Sequence, residues 1–82
     1  MSLDVRNHIQ AIVQNLTNED NLDPAMDLFE AGFLTSIHVL DLIATLEDDF
    51  IIRVNPEDLT VENFASIDRM VAFAEKALAA GN

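Results

Sequence analysis

Apolar residues recur at helical intervals three separate times in this chain, and no strand-like segment has a partner to pair with. Val5, Ile9, Ile12, Val13 and Leu16 make the first stripe. Val39, Leu40, Leu42, Ile43, Leu46 and Phe50 make the second, and Ile67, Met70, Val71, Ala74 and Leu78 the third, with Phe73 on its flank. A rotation of about 100° per residue gathers each set onto one side of a helix. Ile51 to Val54 has the composition of a strand, but a single short strand forms no sheet; it reads as an extended link with Ile52 and Val54 turned inward. The expected fold is all-α, a four-helix bundle of three long helices, at about 3–16, 36–50 and 66–80, and one short helix at about 56–63. Its 82 residues suffice for a single domain, 1–82, with one small core.

Local signals punctuate these helices. Ser2 is placed to cap the first, with Asp4 in its first turn, and Ser66 to cap the last, which Gly81 ends. Asp23-Pro24 and Asn55-Pro56 each pair a capping residue with Pro at the first helical position. Gly32 is placed to stop a turn through Leu28, Phe29 and Glu30. The stretch from Thr17 to Thr35 is then a long loop, held by Leu22, Met26, Leu28, Phe29, Phe33 and Leu34. Leu59, Val61 and Phe64 are the expected anchors of the short helix.

Charge narrows the function. Fifteen Asp and Glu against four Lys and Arg leave a net charge of −11, which speaks against nucleic acid and favours partners with a basic patch. The absence of Cys removes disulfides, thiolate nucleophiles and cysteine metal sites. No apolar run reaches the length of a membrane span and no signal segment is evident, so a monomeric, cytoplasmic protein without membrane attachment is expected.

Catalysis has few candidates. The serines are Ser2, Ser36 and Ser66 and the histidines His8 and His38. Ser36 and His38 are two residues apart, point apart on a helix and lack a buried carboxylate, so an enzyme is not expected. His8 reads as solvated surface, and His38, beside Ser36 on an acidic face, as an exposed surface histidine. The acidic groups at Glu47-Asp48-Asp49 and at Asp20, Asn21 and Asp23 lack the spacing of a calcium loop, and no metal site is expected. What stands out is Ile37, an apolar residue on the polar side of the second helix beside His38, Asp41 and Asp48. Two readings stand side by side: a solvated face with the loop folded over Ile37, or a docking surface whose one apolar knob ringed by carboxylates suits a basic, partly apolar partner. Next to it Ser36 sits at a loop-to-helix junction, where a hydroxyl is exposed and a phosphate is favoured by the helix terminus.

Leu28-Phe29-Glu30-Ala31-Gly32-Phe33-Leu34-Thr35-Ser36-Ile37, followed by Val39 through Phe50, resembles the acyl carrier and peptidyl carrier proteins. In that family an Asp-Ser-Leu motif opens the second helix, and a phosphopantetheinyl transferase attaches 4′-phosphopantetheine to the serine through a phosphodiester. The resemblance implies an acyl-carrier-like fold with a long loop between helices one and two, the covalent cofactor on Ser36, and a thioester-borne acyl or aminoacyl cargo. It implies partner docking through residues 36–50, with Ile37, His38, Asp41, Glu47 and Asp48 at the surface, and as partners a loading ligase or transferase and downstream synthase enzymes. Pro56-Glu57-Asp58-Leu59 and Asn63-Phe64 extend the likeness over almost the whole chain. Thr35 stands where the family usually has Asp, and His38 where fatty-acid carriers commonly have an acid. The resemblance therefore ranks a specialised carrier, of polyketide, nonribosomal peptide or D-alanine type, above a carrier of fatty acid biosynthesis. The alternative is an unmodified helical adaptor that kept the carrier fold.

Overall fold

The computed structural model describes residues 4–80. Four α-helices follow in order: α1 Val5–Thr17, α2 Ser36–Phe50, α3 Val61–Phe64 and α4 Ile67–Ala79, with a 3-10 turn at Pro56–Asp58. The fold is thus an all-α four-helix bundle with a long loop between α1 and α2. Asp4 itself caps α1: its carboxylate accepts the Asn7 backbone N–H at 3.1 Å, so it stands before the first turn rather than in it. The expected roles of Ser2 and Gly81 lie outside the described residues. Ser66 caps α4 as expected, its hydroxyl accepting the Arg69 N–H at 3.2 Å.

α1 lies against α4 and α2. The core joins Ile9, Ile12 and Val13 of α1 to Leu42, Leu46 and Phe50 of α2 and to Ile67, Met70, Val71, Ala74 and Ala77 of α4. Two assignments from the stripes are corrected. Leu40 is 69% exposed, because the buried line of α2 is the narrow i, i+4, i+8 row of Leu42, Leu46 and Phe50, flanked by half-buried Val39 and Ile43. On α4 the row that faces the core advances from Ala74 by three residues to buried Ala77, which leaves Leu78 at the surface.

The short helix expected at 56–63 is two pieces. Leu59 and Thr60 leave helical geometry, and the Thr60 hydroxyl accepts the Asn63 N–H at 3.3 Å to start α3 afresh. This break turns Leu59 and Val61 outward, so that of the three expected anchors only Phe64 is buried.

The long loop is packed in. Leu22, Leu28 and Leu34 are buried, and Met26, Phe29 and Phe33 lie partly buried against the core. Two backbone hydrogen bonds tie it to the far side of the bundle, from the Leu28 N–H to the Ala65 carbonyl (2.7 Å) and from the Asp68 N–H to the Pro24 carbonyl (3.0 Å). Asp27 accepts the N–H groups of Phe29 and Glu30, and Gly32, at φ 84°, ends that turn in a conformation open to glycine. The loop's last residues therefore arrive at α2 from a fixed direction.

Candidate functional site

Ser36 is the first residue of α2 and is exposed. Thr35 precedes it in an extended conformation (φ −125°, ψ 173°) that ends the loop and starts the helix. The first-turn N–H groups of a helix have no intrahelical acceptor and carry the positive end of its dipole. A phosphodiester on the Ser36 hydroxyl would sit at that end, in the setting that favours an anion. Behind it lies an apolar cleft of about 180 Å³ lined by Phe29, Ser36, Val39, Leu59, Thr60 and Val61. An exposed hydroxyl, a helix terminus and an adjoining apolar cleft fit a phosphate-linked arm on Ser36. The outward turn of Leu59 and Val61 is what builds the cleft's second wall.

His38 is not free surface. Its Nδ1 lies 3.1 Å from the Thr35 backbone nitrogen and 3.2 Å from the Thr35 hydroxyl. A backbone N–H can only donate, so Nδ1 is the acceptor and the neutral ring carries its proton on Nε2. His38 thus plays at the third helical position the part that Glu or Gln plays in a capping box.

The other expected docking residues separate. Ile37 is 74% exposed, and Asp41 and Asp48 are exposed along the same helix. Glu47 is instead half-buried, its carboxylate accepting the Val54 N–H at 2.9 Å and fastening the link after α2. His8, expected on the solvated face, joins α1 to α2: Nε2 is 2.7 Å from the Asp49 carboxylate, and the ring meets Phe50 edge-on at 5.1 Å between centroids. Leu40 and Ile51 are exposed apolar residues that the stripes had placed elsewhere or passed over. The signal for Leu40 was present: it lies three residues after Ile37, on the same side of the helix. Ile51 ends α2 at φ 53°, a left-handed conformation unfavourable to a β-branched residue, and is 83% exposed.

Among the described residues no helix is long and apolar enough to cross a membrane. The family model described as "Phosphopantetheine attachment site" matches residues 7–74. The chain is also similar to the D-alanyl carrier protein of Latilactobacillus sakei subsp. sakei (strain 23K), with 30% identity over 76 residues that cover 90% of this chain and 97% of that protein.

Proposed function

This chain belongs to the phosphopantetheine-attachment family, a family of non-catalytic carriers, and on that premise we propose that Ser36 bears the 4′-phosphopantetheine arm and that the cargo is a small acyl or aminoacyl group of the D-alanyl type. The observation that carries the reading is the exposed Ser36 hydroxyl at the first position of α2, inside the matched span. When bound, the arm supplies the thiol that holds cargo as a thioester, a group that a chain without cysteine lacks. The chain's own residues present that arm. Thr35 and His38 fix the start of α2, and Phe29, Val39, Leu59 and Val61 offer the arm an apolar surface beside its root.

Three features support a small cargo. The relative is named for D-alanine. The cleft beside Ser36 measures about 180 Å³, and the core behind it is closed, with Leu42, Leu46 and Ile67 at 0% exposure. The rim of the attachment site also carries neutral Thr35 and a capping His38 in place of acids, which suits partners other than a fatty acid synthase set.

Partners are the transferase that installs the arm, a loading ligase and the enzyme that removes the cargo. Each docks on α2, where Ile37 and Leu40 give apolar area and Asp41 and Asp48 attract basic side chains. Burying a side chain the size of Ile37 contributes roughly 1.5–3 kcal/mol before association costs. The acids mainly set the encounter rate and its salt dependence. The test is to offer the arm-bearing protein to a D-alanine-activating ligase and to a fatty-acid-type acyltransferase, with Ile37→Ala and with Thr35→Asp combined with His38→Asp. Fast D-alanine loading, slow acyl transfer, loss in Ile37→Ala and a gain of acyl transfer in the acidified variant are expected. Efficient acyl transfer to the unaltered protein, unchanged by acidification, overturns the cargo assignment.

A further inference from the structure

Away from α2, three of the chain's four basic side chains line one cleft. Arg53, Arg69 and Lys76 surround a space of about 390 Å³ whose walls also include Asp58, Asn63 and Phe73. The cleft is built from the link after α2, from α3 and from the outer side of α4. Small residues make the room: Ala72, Ala77 and Ala80 stand where longer side chains would fill it. Phe73 forms a fixed wall, since its ring packs on buried Phe64 with centroids 5.4 Å apart.

The basic groups in this cleft are poorly paired. With fifteen acids in the chain, neither Arg53 nor Lys76 has a carboxylate within 4.0 Å among the described residues, whereas Arg6 holds Asp68 at 2.7 Å. Arg69 reaches Glu62 only at 3.9 Å, and both side chains are largely exposed. Among the described residues, then, two basic groups without a carboxylate partner face one cavity in an otherwise strongly acidic chain.

We infer that this cleft binds a small, soluble organic phosphate, its phosphoryl group among Arg53, Arg69 and Lys76 and its body against Phe73. The donors select the ligand. Arg53 and Lys76, with Arg69 loosely held by Glu62, face one lining carboxylate, Asp58, and this many donors suit the three outer oxygens of a phosphomonoester better than the two of a monocarboxylate. Guanidinium forks take phosphate oxygens in pairs, and the lysine adds a point charge. The space falls within the range of small-molecule sites, about 300–1,000 Å³. A small phosphate meets chiefly the charges that line the cleft, whereas an anionic membrane also faces the carboxylates around it and is repelled by a chain of net charge −11.

The probe is adenosine 5′-monophosphate, titrated into the ¹⁵N-labelled protein at constant ionic strength and followed by NMR. Saturable shifts are expected at the amides of Arg53, Asn63, Arg69, Phe73 and Lys76, weaker with inorganic phosphate and absent with adenosine. Arg53→Gln with Lys76→Gln removes two charge-assisted contacts from exposed positions, and it should weaken binding at least about ten-fold with the melting temperature little changed. Shifts that sodium chloride reproduces, or binding that the double variant retains, overturn the inference. Sedimentation with phosphatidic acid vesicles in place of binding to the nucleotide overturns the assignment to a soluble ligand.

Discussion

The imidazole Nδ1 of His38 accepts the backbone N–H of Thr35 at 3.1 Å, which makes one interaction of the two positions where this chain departs from the carrier pattern. Along the sequence, Thr35 and His38 are two lost acids on the rim of the proposed attachment site, Ser36. In the fold they are a capping pair that flanks Ser36 and ties the first turn of α2 to the last residue of the loop.

His38→Ala should therefore destabilise the protein by about 0.5–1.5 kcal/mol, the net contribution of a typical intramolecular hydrogen bond. His38→Gln should recover most of that loss, since Gln at the third helical position can reach back to the same N–H. Urea denaturation of the three proteins measures it. Equal stability of His38→Ala and the unaltered protein would show that the cap contributes nothing.

Leu46 and Leu40 distinguish core from surface on α2. Leu46 is fully buried and Leu40 is 69% exposed. Leu46→Ala should cost about 2–5 kcal/mol. Leu40→Ala should cost well under 1 kcal/mol, as surface changes usually do, yet slow loading by a partner enzyme. Comparable losses of stability at the two positions would place Leu40 in the core.

The fold class was legible because the three stripes are long and regular, and the capping role of Ser66 followed from its place before the last of them. Leu40 and Leu78 were misplaced because a helical stripe does not state its own width; only the neighbouring helices decide which flank is covered. The cleft beside Ser36 was not legible at all. It depends on the break at Leu59-Thr60, which turns Val61 outward; Thr60 is of a type that caps helices, but only the packing of α3 decides that the helix restarts there and where Val61 then points. The bridge from His8 to Asp49 spans 41 residues and arises only when α1 and α2 pack.

Ile51 holds a left-handed conformation at 83% exposure. Ile51→Gly relieves the Cβ clash and supplies the residue that helix ends favour, so it should raise stability by about 0.5–1 kcal/mol. A thermal melt checks it. If an apolar residue is held there for docking, the same variant should load more slowly while melting at a higher temperature; a lower melting temperature contradicts the strain.

Self-repulsion should be measurable in a chain of net charge −11. Screening acts over about 8 Å at physiological ionic strength, so the melting temperature should rise as sodium chloride is raised from low to moderate concentration. A melting temperature that stays flat or falls over that interval removes repulsion from the main destabilising effects.

The most direct test of the carrier reading is the intact mass of the protein after treatment with a broad-specificity phosphopantetheinyl transferase and coenzyme A. One added 4′-phosphopantetheine, absent from Ser36→Ala, is the expected result. An unchanged mass, or an arm that persists in Ser36→Ala because it sits on Ser2 or Ser66, contradicts it; no modification at all would leave an unmodified helical adaptor as the better description of the chain.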